Sequence, residues 1–522
     1  MQMKTKKGIS LIVLVITIIV IMILAGEVIM SLSRNNPISA ASEANFKSRL
    51  SEYNNELMLY LSSEYSNTGG TVDLSTIDAT KTTGSYGGGK TIQQIVTSMN
   101  NTDATKYVIQ QGKLVYTGTD VNESEWVNNI GVQDSQSTDY VSTMGVVGVN
   151  KPKLITGMVP IYWNGFVWIN TTEIDTNWYD YNNKKWANAQ TADGSMWIWI
   201  PRYVYKMSSG WNTATAGIID IQFSKGINDN WNSSLIGGIN TEVGASASNG
   251  TWTNQPAFTF GTTELTGIWV AKFEASNNSG KVKVIPNVTS WRNISENDVF
   301  NTCRLMETDN TYGWGTTGVG IDTHMMKNVE WGAVAYLTHS KYGRNGQEVW
   351  INPDINFITG RAGISVSPVI TATTDSYETV NGVNASTTGN IYGIYDMAGG
   401  AFEFTAAYVN NGDSSLLDYG SSVVNAPIQY KDVYNPITSF SNLSQKKGDA
   451  IYETSIGWGQ SAWFSDISEW PGTTYVFFNR GSFYHNSFSE SAGGMFAYND
   501  DWGYALPDTS FRPIILVSGN SL

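Results

Sequence analysis

Few residues in this chain of 522 have the type and spacing that bond-making chemistry needs. Cys303 is the single cysteine, so no intrachain disulfide can form. Within "VFNTCRLMETD" it reads as a small buried residue. His324, His339 and His485 do not fall at the H-x-x-x-H spacing of a metal-binding helix. The first two flank a predicted helix and read as structural residues. No G-x-S-x-G elbow exposes a serine, although a Ser-His-Asp set can be drawn from distant positions. Glu403 invites comparison with paired carboxylates that cleave glycosides. Inside "YDMAGGAFEF" it reads instead as a buried, hydrogen-bonded acid. The chain is therefore read as a protein that is not an enzyme.

Non-covalent chemistry is better represented. The stretch "FFNRGSFYHNSFSESAGGMFAYNDDWGYALPDTSFRPIIL", residues 477–516, sets large rings among Asn, Ser, Asp and Gly. Loops are usually polar because their backbone stays wet, so the rings need a reason. Tyr and Trp offer wide contact area with few rotors to freeze, and Asn and Ser offer adaptable hydrogen bonds, as in paratopes. The candidate ligand-binding residues are Phe483, Tyr484, His485, Asn486, Phe488, Ser489, Tyr498, Asn499, Asp500, Asp501, Trp502, Tyr504 and Asp508. The competing reading is that these rings fill the core of a turn-rich domain. Met495 to Tyr498 and Phe511 to Val517 read as core strands that frame the stretch.

Composition limits what must position these residues. Charged residues make up 15%, against about 25% in ordinary soluble domains, and the chain holds 19 Trp and 27 Tyr. A surface built from Asn, Ser, Thr and Gly suits turn-rich β structure and an extracellular setting. The net charge of −14 offers no basic field for nucleic acid, so no nucleic-acid partner is expected.

The amino terminus supplies an anchor. Lys4, Lys6 and Lys7 precede an apolar run from Ile9 to Ala25 broken only by Ser10 and Thr17. A helix of this length spans about 27 Å, close to the hydrocarbon thickness, with the lysines held in the cytoplasm. Pro37 is expected to kink the helix beyond it. Phe46, Leu50, Tyr53, Leu57 and Leu61 then recur at helical spacing. "YVIQQGKLVYTG", residues 107–118, reads as a hairpin turning at Gln111-Gly112. The words "KKGISLIVLVITIIV" resemble the leader of type IV prepilins. That resemblance implies cleavage after Gly8, methylation of Ile9, and a retained helix that packs against other pilin subunits. Ile9 stands for the family's usual Phe, and Val13 for its usual Glu. The plain alternative is a single-pass membrane anchor. The expected order is a leader at 1–8, a transmembrane helix at 9–36, a pilin-like helix and small sheet at 37–120, and a linker at 121–154.

From 155 to 522 the texture is one of short Trp-, Val- and Ile-rich runs punctuated by Asn, Gly and Pro, an α+β domain rich in loops. No period of about 20–50 residues recurs, which disfavours a propeller or solenoid. Residues 322–343 give the best helical pattern, with Val329, Ala333, Tyr336 and Leu337 on one face and Gly343 as a stop. Four words then follow in order: "MKNVEWGAVAYLTHSKYG", "GNIYGIYDMAGGAFEFT", "FFNRGS" and "SFRPIIL". Their order resembles the C-type-lectin-like fold in its formylglycine-generating-enzyme branch, with Gly400 for the usual Asn and Phe404 for the usual Trp. Oxidases of that branch resemble one another in holding copper with two cysteines. This chain has only Cys303, so the resemblance implies the fold without the oxidase chemistry. The sugar-binding triplets Glu-Pro-Asn and Gln-Pro-Asp of animal lectins are absent. No cofactor is expected, and a structural calcium is left unassigned.

The framed C-terminal stretch, about 477–517, also looks like the variable protein of a diversity-generating retroelement. There, Asn codons mutated at adenines become Tyr, His, Asp, Ser or Phe. Tyr484, His485, Asn486, Phe488, Ser489, Tyr498, Asn499, Asp500, Asp501, Tyr504 and Asp508 fit that set, whereas Glu490 and Trp502 do not. The expectation is a surface protein binding an unknown protein or glycan, anchored in the cell membrane with the large domain outside. The alternatives are a membrane-anchored enzyme of the sulfatase-modifying or carbohydrate-hydrolase type, and a structural minor pilin.

Overall fold

Alternating apolar residues bounded by turn formers give strands, and here they dominate. The computed structural model is a mixed α+β structure, mostly sheet with few helices. It describes residues 42–61, 78–123, 148–231, 250–363, 374–440, 446–484 and 493–517, with short gaps inside the first two spans and at 319, and the short pieces 133–134, 140–141 and 239–240. The expected leader and transmembrane helix, with Gly8, Ile9 and Pro37, lie outside the described residues. Among those described, no helix is long and apolar enough to cross a membrane. The chain divides into two compact units, Met1–Gly145 and Val146–Leu522.

In the first unit the apolar stripe does what its spacing predicts. Phe46, Leu50, Tyr53 and Leu57 lie on helical backbone and are buried together with Tyr107, Ile109, Leu114 and Tyr116. The hairpin forms from β1 (Tyr107–Gln110) and β2 (Lys113–Tyr116), with Gln110 opposite Lys113. That register leaves a two-residue loop, as Gln-Gly requires. A buried polar link joins the helix to the single turn before β1: Tyr53 donates to Asp103 at 2.7 Å.

The second unit starts earlier than the composition shift at 155 suggests. Asn150 is buried, and its amide donates to the carbonyls of Gly226 at 2.7 Å and Thr266 at 2.9 Å. The expected linker over 121–154 therefore loses its last residues to the large domain. A buried amide with both bonds made is part of a core, whatever its local composition.

Two sheets organise this unit. The first contains β3 (Val159–Trp163), β4 (Trp168–Asn170), β5 (Asn188–Gln190), β6 (Met196–Pro201), β7 (Gly267–Ala271), β8 (Ile321–Met325) and β14 (Pro513–Val517). Its order is β8-β14-β7-β6-β5-β3-β4, antiparallel at every step. The C-terminal strand thus lies inside the sheet, with Ile515 between Trp269 and Thr323. The second sheet contains β9 (Phe402–Val409), β10 (Asp432–Tyr434), β11 (Phe477–Arg480), β12 (Tyr498–Asp501) and β13 (Thr509–Phe511). Its order is β10-β9-β11-β12, with β13 parallel to the start of β9. The helices are α1 (Glu296–Leu305), α2 (Asn328–His339) and α3 (Ser415–Asn425).

The long helix expected over 322–343 splits. Residues 321–325 are strand β8 and only Asn328–His339 is helical. The pairing of β8 with β14 outweighs the local helical period, and Glu330 starts the helix by accepting the Lys327 N–H at 2.8 Å. Nor does α2 show one apolar face, because all twelve of its residues are buried. At Gly332 an added Cβ would run into the Gly448 carbonyl, so the glycine is what lets that backbone lie against the helix.

Candidate functional site

The words around Asp396, Glu403, Arg480 and Arg512 build a scaffold of buried charge. Arg512, between β13 and β14, forms a two-pronged ion pair with Glu403 of β9, at 2.6 and 3.0 Å. Its remaining donors take the carbonyls of Ala271 and Tyr395. Neither side chain reaches solvent, so Glu403 is structural, as its word implied. Asp396 sits at φ +62° and accepts from the Asn352 amide and the Gly360 N–H, each at 2.9 Å. Glu274 accepts the Ala401 N–H at 2.9 Å. At Gly400, with φ +78°, a Cβ would collide with the Glu274 carboxylate.

The same scaffold holds the candidate stretch by both ends. Arg480 is fully buried and donates to the carbonyls of Ala497, Asp449 and Ala450, all at 3.0 Å. Burial lowers its pKa to about 10, yet three carbonyl acceptors keep the cation in place. The turn after it is tied to the glycines of "DMAGG": Gly399 donates to Gly481 at 3.0 Å and Tyr484 to Gly400 at 2.8 Å. On the far side, Trp331 donates to the Met495 carbonyl at 2.8 Å, and Asp466 accepts the Phe496 N–H at 2.9 Å.

Rings gather at two places on this frame. Phe483 packs against Phe402 at 5.0 Å and Tyr484 at 5.4 Å, and Tyr484 against Phe357 at 4.9 Å. The Arg292 guanidinium covers Phe357 at 3.9 Å and donates to Pro507. Trp502 meets Tyr475 at 4.8 Å and Tyr504 at 5.9 Å, and Tyr504 meets Tyr419 at 5.7 Å. Tyr475 is 42% and Tyr504 39% exposed, while Phe483, Tyr484 and Trp502 are half-buried.

Three expected ligand contacts are corrected. Tyr498 is fully buried, packed among Tyr434, Trp470 and Phe478, with its hydroxyl 3.0 Å from Ser455. Asn499 and Asp501 are also buried, on the opposite face of β12. The face of β12 carrying Asn499 and Asp501 is covered, and on the other face Tyr498 is sealed while Asp500 keeps partial access to solvent. The core strand expected at Met495 to Tyr498 begins only at Tyr498. Asp500 and Asp508 are half-buried, and burial, with Glu469 adding repulsion, pushes Asp500 up to about 6. His485, Asn486, Phe488 and Ser489 lie outside the described residues. Arg292, Phe357, Phe402, Tyr419 and Tyr475 join the face although nothing in the local sequence marks them. Apart from Tyr475, which lies just before β11, they come from loops and elements well upstream, and only folding places them there.

The remaining chemical candidates are accounted for. Cys303 is buried in α1 and burial pushes its thiol well up. His324 lies between Asp322 at 2.7 Å and Glu330 at 3.0 Å, and His339 is 2.8 Å from the Gly217 carbonyl. Among the described residues no group of three or more His, Cys, Asp or Glu side chains is arranged for a metal.

No family model matches the chain. No curated protein matches it either. Among solved structures, Treponema denticola variable protein 1 is similar at 10% identity, over 48% of this chain and 85% of that one, with a TM-score of 0.20. A score of that size carries no argument about fold or function.

Proposed function

We propose that this chain is a surface-displayed receptor or adhesin whose C-terminal face binds a protein or glycan non-covalently. The observation that supports it most is the clamping of residues 480–484 and 494–496 by buried Arg480, Asp466 and Trp331 beside partly exposed ring clusters. A frame anchored through backbone atoms leaves the side chains between its anchors free to vary without disturbing the core. This is the physical requirement for a C-type-lectin-like domain diversified by a retroelement. The large domain would stand outside the membrane on the prepilin-like helix, retained after cleavage at Gly8.

The direct test is the adjoining DNA. A near-copy of the codons for 477–517, differing at adenines and lying beside a reverse transcriptase gene, is the expected result. Its absence from a complete genome defeats the diversification reading. Display is tested separately by mass spectrometry of membrane fractions. An N-methylated Ile9 supports prepilin-type processing, and an intact Met1 terminus overturns it.

A further inference from the structure

The buried carboxylates described above have donors: Glu403 has Arg512, Asp396 has Asn352, and Asp466 has Phe496. Glu296 differs. It opens α1 and is 0% exposed, and neither of its carboxylate oxygens has a hydrogen-bond partner. A buried ionised carboxylate without a partner is costly, so its presence calls for an explanation.

Its surroundings make the cost larger. Glu296 donates its N–H to the Gly503 carbonyl at 2.9 Å, and the Gly503 N–H donates to Asp501 at 2.7 Å. Gly503 therefore ties the backbone of Glu296 and the carboxylate of Asp501 to one residue. Burial raises the Glu296 carboxyl well above its usual range, and the Asp501 charge raises it further. Asp501 is 5% exposed and accepts from the Asn479 amide nitrogen at 3.1 Å. Asn479 lies directly across the β11–β12 pair from Asn499. The side-chain oxygens of both Asn479 and Asn499 are buried without a donor, in residues 3% and 6% exposed. Among the described residues no Lys, Arg or His forms an ion pair with Glu296 or Asp501.

We infer that Glu296 and Asp501, with the side-chain oxygens of Asn479 and Asn499, form a binding site for a divalent cation of the calcium class. The unpartnered atoms are all oxygens, those of the Glu296 carboxylate and of the Asn479 and Asn499 amides, and they lie with the Asp501 carboxylate, on which the Asn479 nitrogen is already spent. That set suits a hard cation and does not suit zinc or copper. Calcium tolerates irregular ligand geometry, whereas magnesium demands a near-ideal octahedron and keeps its waters. The ion would cancel both charges and satisfy the four orphaned oxygens. It would tie the start of α1 to the strands beneath the ligand face. Asn499 and Asp501 then have a role that burial permits, unlike the ligand contact expected of them.

The test uses the full-length protein stripped with chelator. Terbium emission sensitised by the protein's tryptophans should appear and be displaced by Ca2+. Calcium at about 1 mM, the range of weak extracellular sites, should raise the thermal unfolding midpoint. Glu296→Gln should abolish both effects while leaving the circular dichroism spectrum unchanged. Should that variant fail to fold, Asn479→Asp serves instead, because a third carboxylate should tighten Ca2+ binding. Absence of Ca2+-displaceable terbium in the wild type overturns the site. So does calcium binding that neither variant alters. A chelator-treated Glu296→Gln protein more stable than an equally treated wild type that binds no calcium would show instead that the two acids are a neutral buried pair.

Discussion

Arg512 and Glu403 meet as a bidentate ion pair, 2.6 Å at the closer oxygen, with neither side chain exposed to solvent. The pair joins β9 to the entry of β14, and so locks the second sheet of the domain to the first. Breaking a buried pair from one side strands the other charge, which costs about 3–5 kcal/mol. Arg512→Met should destabilise the large domain by about that amount, because Glu403, Asp396 and Glu274 then share one region without a cation. Urea unfolding followed by tryptophan fluorescence checks this; an unchanged midpoint would remove the pair from the scaffold.

The ring clusters and the buried tyrosine should separate cleanly. Tyr484→Ala and Trp502→Ala should each weaken ligand binding by about 1–2 kcal/mol, with little change in the unfolding midpoint. Tyr498→Ala should instead cost about 3–5 kcal/mol of stability, as for other large-to-small changes in cores. Titration calorimetry with the ligand and thermal melts of the three variants give the comparison. Loss of folding in the first two would place their rings in the core.

The backbone of "DMAGG" should be intolerant. Gly399 has φ +75°, and a Cβ there would collide with Ile351 and the Asn352 carbonyl. Gly399→Ala should cost at least about 1–3 kcal/mol from the strained backbone alone. Gly412, with φ +79° and open space around it, should lose less on the same change. Measured stabilities of the two variants decide whether steric approach or φ alone governs.

His324 should make stability depend on pH. Burial works against its charge, but Glu330 and Asp322 on either side raise its pKa. Burial also opposes ionised Asp322, yet His324 and Arg304 hold that acid down at about 2. The imidazolium contribution is thus complete below about pH 6.5 and is lost as pH rises through the raised folded value. The Asp322 contribution is present above about pH 4 and is lost as pH falls toward 2. The stability gap between wild type and His324→Gln should therefore narrow as pH rises above about 6.5 and through the raised folded value, and NMR titration of the His324 ring checks that it charges in the folded state; a folded ring already neutral below about pH 6.5 would overturn the prediction.

Much of this was legible along the chain. The stripe of Phe46, Leu50, Tyr53 and Leu57, the hairpin at Gln111-Gly112, and the structural roles of Cys303 and Glu403 follow from period, turn chemistry and local wording. Those are short-range causes, carried by neighbours in sequence. Period misled where a distant strand intervened, as at residues 321–325, which pair with β14 almost two hundred residues later.

The sequence by itself determined that the C-terminal stretch mixes rings with small polar groups in a paratope-like proportion. It could not tell which of those rings face outward. Tyr498 and Tyr504 differ little in local wording, yet one is sealed against Trp470 and the other stands 39% exposed. The tertiary structure decided this, because exposure depends on what covers both faces of β12, and the covering residues come from elsewhere in the chain. The same holds for Glu296, whose isolation appears only once α1 lies against Gly503 and Asp501.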